Sequence, residues 1–146
     1  MKRFVLLTFA LIAQGAMAAG VSVDNAWMRA TAPGQQVAGA YLDITSPADA
    51  TLVGAQSPAA GSIEMHTMRM DNGVMEMREI KSLALPGNKT VKLAPGGVHL
   101  MLLDLRQPFK AGERVPIRLT FETARKKRET VEVTAQVRDL GGQMMH

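Results

Sequence analysis

The 146-residue sequence predicts an all-β domain, a Greek-key sandwich or barrel, on three observations. Short segments alternate apolar and polar residues with the period of two that half-buried strands require. Gly, Pro and Asn breakers separate those segments at short intervals. No stretch holds a helical period for three turns before a Gly or Pro interrupts it. Many short strands at such spacing characterise sandwiches and barrels.

The chain opens with an address rather than with fold. Lys2-Arg3, an apolar run over 4–13 and the small-x-small pattern Ala16-Met17-Ala18 read as a secretory signal peptide cleaved after Ala18. The apolar run is half of the ~20 residues that span a bilayer, so stable membrane insertion is not expected. With no cysteine after the cleavage site, a lipoprotein anchor is not expected either. Removing 18 of 146 residues leaves 128 and lowers the formal charge from +4 to +2. One domain over 19–140 and a short tail over 141–146 account for the rest. A domain of that size builds its own core, and its near-neutral charge gives no electrostatic case for nucleic acid.

Each strand follows from local pattern. Val21 and Val23 lead into Ala26-Trp27-Met28, and Ala32-Pro33-Gly34 breaks the chain. The second strand covers 37–44, ended by Ser46-Pro47, and the third covers 51–56. A fourth over 63–70 returns as Val74–Ile80 through Asp71-Asn72-Gly73, whose Asn and Gly accept the positive φ of a type I′ turn. Two Pro-Gly turns bracket 90–93. His99–Leu105 is almost continuously apolar, as a central strand buried on both faces would be. Strands over 115–121 and 129–137 close the domain around a basic run, Arg125 to Arg128, expected at a solvated hairpin tip.

The absence of cysteine excludes disulfides, thiol redox chemistry, zinc knuckles, iron–sulfur clusters and blue copper. Methionine is the opposite case. Of 11 methionines, five (Met65, Met68, Met70, Met75 and Met77) fall on the one predicted hairpin, and Met101 follows His99 by two residues. A single methionine is ordinarily a core filler, and Met28 and Met65 fit that role. Strand cores nevertheless prefer β-branched and aromatic residues, and positions flanking a turn are poor core sites.

Strand parity sharpens the point. With a two-residue Asn72-Gly73 turn, His66, Met68, Met70, Met75 and Met77 share one face. A three-residue loop would send Met77 to the other face from His66. His99 and Met101 share a face at i and i+2. Two imidazoles and two thioethers form a soft, neutral donor set suited to Cu(I) or its mimic Ag(I). Neutral donors hold a monovalent ion without trapping it, which suits a carrier.

His66, ten residues, Met77, twenty-one residues, His99, one residue, Met101: this spacing resembles the H-x10-M-x21-H-x-M signature of the periplasmic PCuAC copper chaperones. The resemblance extends over Asn25 to Ala30, Pro33-Gly34, Ala40-Tyr41, Gly97 to Leu102, Phe109 to Glu113 and Leu119 to Phe121. It implies a cupredoxin-like sandwich that binds Cu(I) as cargo through His66, Met77, His99 and Met101. Delivery would go to the CuA centre of respiratory oxidase subunit II, directly or with a Sco-type copper protein. It also implies a periplasmic location. Members of that family often carry a His/Met-rich extension for Cu(II). Here only Met144, Met145 and His146 remain, so a weak second Cu(II) site is a minor expectation. A monomer is expected.

Met68, Met70 and Met75 lie outside the signature and read equally as an apolar rim or as an entry path or docking patch. Glu64, Glu76 and Glu79 flank the site and are expected to face solvent, since no nucleophile or substrate pocket accompanies them. No catalytic residue and no resident cofactor is assigned. A copper-dependent redox enzyme and a metal-free interaction module with a methionine contact patch stay open as alternatives.

Overall fold

A computed structural model describes residues 17–18 and 20–139. Of the proposed leader over 1–18 only Met17 and Ala18 are among the described residues, and the tail with Met144, Met145 and His146 lies outside them. Every regular element among the described residues is a strand. They are β1 (Met17–Ala18), β2 (Val21–Arg29), β3 (Val37–Ser46), β4 (Ala50–Gln56), β5 (Ala60–Asp71), β6 (Val74–Ile80), β7 (Leu83–Leu85), β8 (Lys89–Leu93), β9 (His99–Leu105), β10 (Arg114–Thr123) and β11 (Arg128–Arg138). The expected strands are present: Val74–Ile80 and His99–Leu105 have the expected bounds, and the others are longer by a residue or a few. The short β1 and β7 carry too little pattern to be read in advance.

The strands join in the order β6-β5-β9-β3-β2-β11-β10-β4-β7, with β1 on β2 and β8 on β3. Strand β3 divides its free edge. Its first half, from Val37 to Ala40, pairs with β9, and its second half, from Leu42 to Ser46, pairs with β8. A parallel pairing of β11 with β2, from Gln136–Trp27 to Arg138–Arg29, ties the end of the chain to its beginning.

Alternation explains which residues form the core. On β10 and β11 the odd positions Val115, Ile117, Leu119, Phe121, Val131, Val133, Ala135 and Val137 are all buried. On β3 the even positions Ala38, Ala40, Leu42 and Ile44 point inward. Each fully buried Leu or Phe contributes about 1.5–3 kcal/mol relative to exposure.

Strand β2 switches parity. Val21 and Val23 are buried at its start and Met28 at its end. Between them the register with β3 shifts between Asp24 and Trp27, and Asn25 takes φ 53°. This bulge, held by Asn25 Nδ2 donating to Asp43 Oδ2 at 3.0 Å, turns Trp27 to the outer face.

Strand β9 corrects one expectation. It is central, between β5 and β3, but only one of its faces is core. Leu100 and Leu102 are fully buried, while Met101 and Leu103 on the other face are partly open. The apolar character of that outer face serves the site described next. The Arg125 to Arg128 run lies at the exposed β10–β11 tip, as expected, with Lys126 at φ 56°.

Candidate metal centre

The geometry of the site begins at the β5–β6 turn. Asn72 at φ 49° and Gly73 at φ 80° form the two-residue connection that parity required. The register then runs without a shift: Met70 faces Met75, Met68 faces Met77, and His66 faces Glu79. Both outward methionine pairs therefore stand on the His66 face. On the other edge of β5, His66 faces His99 and Glu64 faces Met101. The two imidazole centroids are 6.0 Å apart.

All four signature residues thus occupy one face of the sheet. His66 and His99 are direct cross-strand neighbours, and Met101 is one step along β9. Met77 sits beside Met68, diagonal to His66, with β5 between it and β9. It is 48% exposed, whereas His99 is only 5% exposed.

The hydrogen bonds of the two rings determine which nitrogens are free. His99 Nδ1 lies 2.9 Å from the carbonyl oxygen of Gly97. That contact makes Nδ1 the N–H donor and leaves the lone pair of Nε2 free. His66 is the mirror case: its Nε2 donates to Glu64 Oε2 at 2.8 Å. Its Nδ1 is buried and without a hydrogen-bond partner. Buried polar atoms rarely go unpaired without reason, and a nitrogen whose lone pair meets no donor suits a metal ion. Among the described residues no group of three His, Cys, Asp or Glu side chains is placed to hold a metal. The other soft donors on this face include the thioethers of Met68, Met77 and Met101, which suit a soft cation.

Several residues shape the site that the sequence did not mark for it. Glu64 was expected in solvent, yet its side chain is 35% exposed and orients His66. Its signal was available, since i−2 from His66 shares a face. Tyr41 is buried, with its ring centroid 6.3 Å from that of His99, and Trp27 stacks on Tyr41 at 4.6 Å. Gly39, opposite Met101, makes room for them: a Cβ there would lie 2.8 Å from the Tyr41 hydroxyl. Arg29 and Arg138 cap these rings from outside, 5.9 Å above Tyr41 and 5.2 Å above Trp27. Glu79 and Glu76 behave as expected. Glu79 is exposed and bound by Lys81, whose ammonium that carboxylate holds above its usual range. Glu76 pairs with Arg78 on the opposite face.

The role of Glu64 makes a prediction. In Glu64→Leu, His66 should lose its preference for the Nε2–H tautomer, read by long-range 15N–1H NMR, and Cu(I) affinity should fall about 10–100-fold. Glu64→Gln keeps an acceptor oxygen and should restore both. An unchanged tautomer in Glu64→Leu would remove Glu64 from the site.

The all-β fold of this chain is shared with solved PCuAC domains. The apo PCuAC domain from PmoF1 matches with a TM-score of 0.65 and 26% identity, over 82% of this chain and 93% of that one. The Cu(I) form of DR1885 from Deinococcus radiodurans matches with a TM-score of 0.62 and 29% identity, over 87% of this chain and 82% of that one. The cupredoxin-like expectation is thereby met. In sequence, the "Putative lipoprotein Lxx21020" of Leifsonia xyli subsp. xyli (strain CTCB07) is 36% identical over 129 residues, 88% of this chain and 75% of that one. Residues 21–137 match the family described as "Putative lipoprotein LpqE-like". The chain belongs to this LpqE-like, PCuAC-related family.

Proposed function

We propose that the chain is a Cu(I)-binding metallochaperone, with His66, Met77, His99 and Met101 as the donors. The buried, unpartnered Nδ1 of His66 beside His99, on a face otherwise supplied with sulfur, carries this reading. Each imidazole has one nitrogen tied by a protein acceptor and one lone pair left over. The donors are neutral, and Glu64 adds one carboxylate at the edge, matching the single charge of Cu(I). A partly open site on a sheet face lets a partner reach the ion, as a carrier requires. The solved Cu(I) form of DR1885 supports the choice of ion.

In this reading the ion is cargo, handed to the CuA centre of respiratory oxidase subunit II or to a Sco-type copper protein in the periplasm. The leader pattern over 1–18 supports export. The family description carries the word lipoprotein, and these 146 residues contain no cysteine to bear a lipid. Among the described residues no helix is long and apolar enough to cross a membrane.

Anaerobic titration of residues 19–146 with Cu(I) against a chromophoric chelator tests the proposal. One equivalent should be withheld from the chelator, and the loaded protein should stay colourless in air. Failure to compete would make the face a metal-free contact surface. Oxidation in air with turnover of a reductant would make the protein a redox enzyme instead.

A further inference from the structure

Past His66 the register of β5 with β9 ends, and residues 67–71 pair with β6 alone. The hairpin projects beyond the body of the sheet, and its two faces differ in chemistry. One bears Thr67, Arg69, Asp71, Val74, Glu76 and Arg78. The other, continuous with the His66 face, bears only Met68, Met70, Met75 and Met77. Met70 is 62% exposed and Met75 is 49% exposed, so core filling does not explain them.

An apolar contact patch would be served as well by Leu, Ile, Val or Phe, which fit a strand better. What these four side chains share, and those alternatives lack, is a thioether sulfur. Directly opposed residues hold their Cβ atoms about 4.5–5.5 Å apart. The flexible methionine side chain allows two such sulfurs to close on one ion. Successive same-face rungs follow at about 7 Å along the strand. The order from the tip inward is Met70–Met75, Met68–Met77, then His66–His99.

We propose that Met70 and Met75, with Met68 as a third donor, form a second station for a monovalent soft cation at the hairpin tip. It is distinct from the four-residue centre and weaker, because its donors are thioethers alone and open to water. As a step for loading or unloading cargo it rests on the Cu(I)-carrier reading; as a binding site it does not. The ion changes neither charge nor oxidation state in passing between rungs, so no co-reactant is involved.

Titration of the full mature chain with Ag(I), followed by methionine methyl 13C and histidine 15N NMR, separates the two sites. The first equivalent should move the resonances of His66, His99 and Met101. The second should move the methyls of Met70 and Met75. In Met70→Leu/Met75→Leu, which keeps size and removes sulfur at exposed positions, the second step should vanish with the first unchanged. If the first step occurs and the Met70 and Met75 methyls stay still beyond two equivalents, the tip station is overturned and the centre stands. A second step surviving in the double variant also overturns it. If the histidines never respond while Met70 and Met75 do, the tip station stands and the carrier reading fails.

Discussion

Replacing His99 and Met101 together by alanine should abolish the ability of the protein to withhold Cu(I) from a chromophoric chelator. Loss of an outer partner of a metal ligand typically costs 10–100-fold in affinity, so removing two direct donors should cost at least about a hundredfold. The geometry says why this pair is chosen. His99 stands opposite His66 and Met101 opposite Glu64, so the two together are the imidazole and thioether that β9 brings to the face. Both point away from Leu100 and Leu102, which pack the core from the same strand. The variant should therefore fold, with the wild-type far-UV circular dichroism spectrum as its control. Unchanged retention in a folded double variant would show that copper, if held, is held elsewhere.

The second large effect lies on the other side of the same strand. Leu102 is fully buried and pairs with Ile63 on β5 and Ala38 on β3. Leu102→Ala should cost about 2–5 kcal/mol through lost burial and the cavity left behind. For a domain of this size each kcal/mol lowers Tm by about 4 °C, so a fall of roughly 8–20 °C is expected in thermal unfolding. Cu(I) affinity at 25 °C should change little, because backbone ladders on both edges hold β9 in register. A variant that lost copper as completely as it lost stability would mean that the centre depends on core packing more than on its donors.

These two substitutions separate what strand alternation puts together. One strand supplies core on one face and donors on the other, and a shift of register by a single residue would exchange them. That coupling makes the Asn72-Gly73 turn matter at a distance. A two-residue turn with positive φ at both positions places Met77 on the His66 face.

Much of this was written in short-range pattern. The strands, the turn type and the shared face of His66, Met68, Met70, Met75 and Met77 follow from alternation and from where Asn and Gly tolerate positive φ. The facing of His99 and Met101 follows from a spacing of two. These properties are local, set by a few neighbouring dihedral angles, so the sequence by itself determined them. Chain-distant pairing was not legible. That β9 lies against β5 with His66 opposite His99 is a choice among possible partners, made by the fit of Met65, Leu100 and Leu102 into one core. Tyr41 and Trp27 reach the site only because β3 pairs β9 and a bulge at Asn25 turns Trp27 outward. The tautomer of His66 rests on Glu64, whose carboxylate is held near the ring rather than in water. Periodicity names the face on which a side chain stands; packing between strands far apart in the chain decides what it meets there.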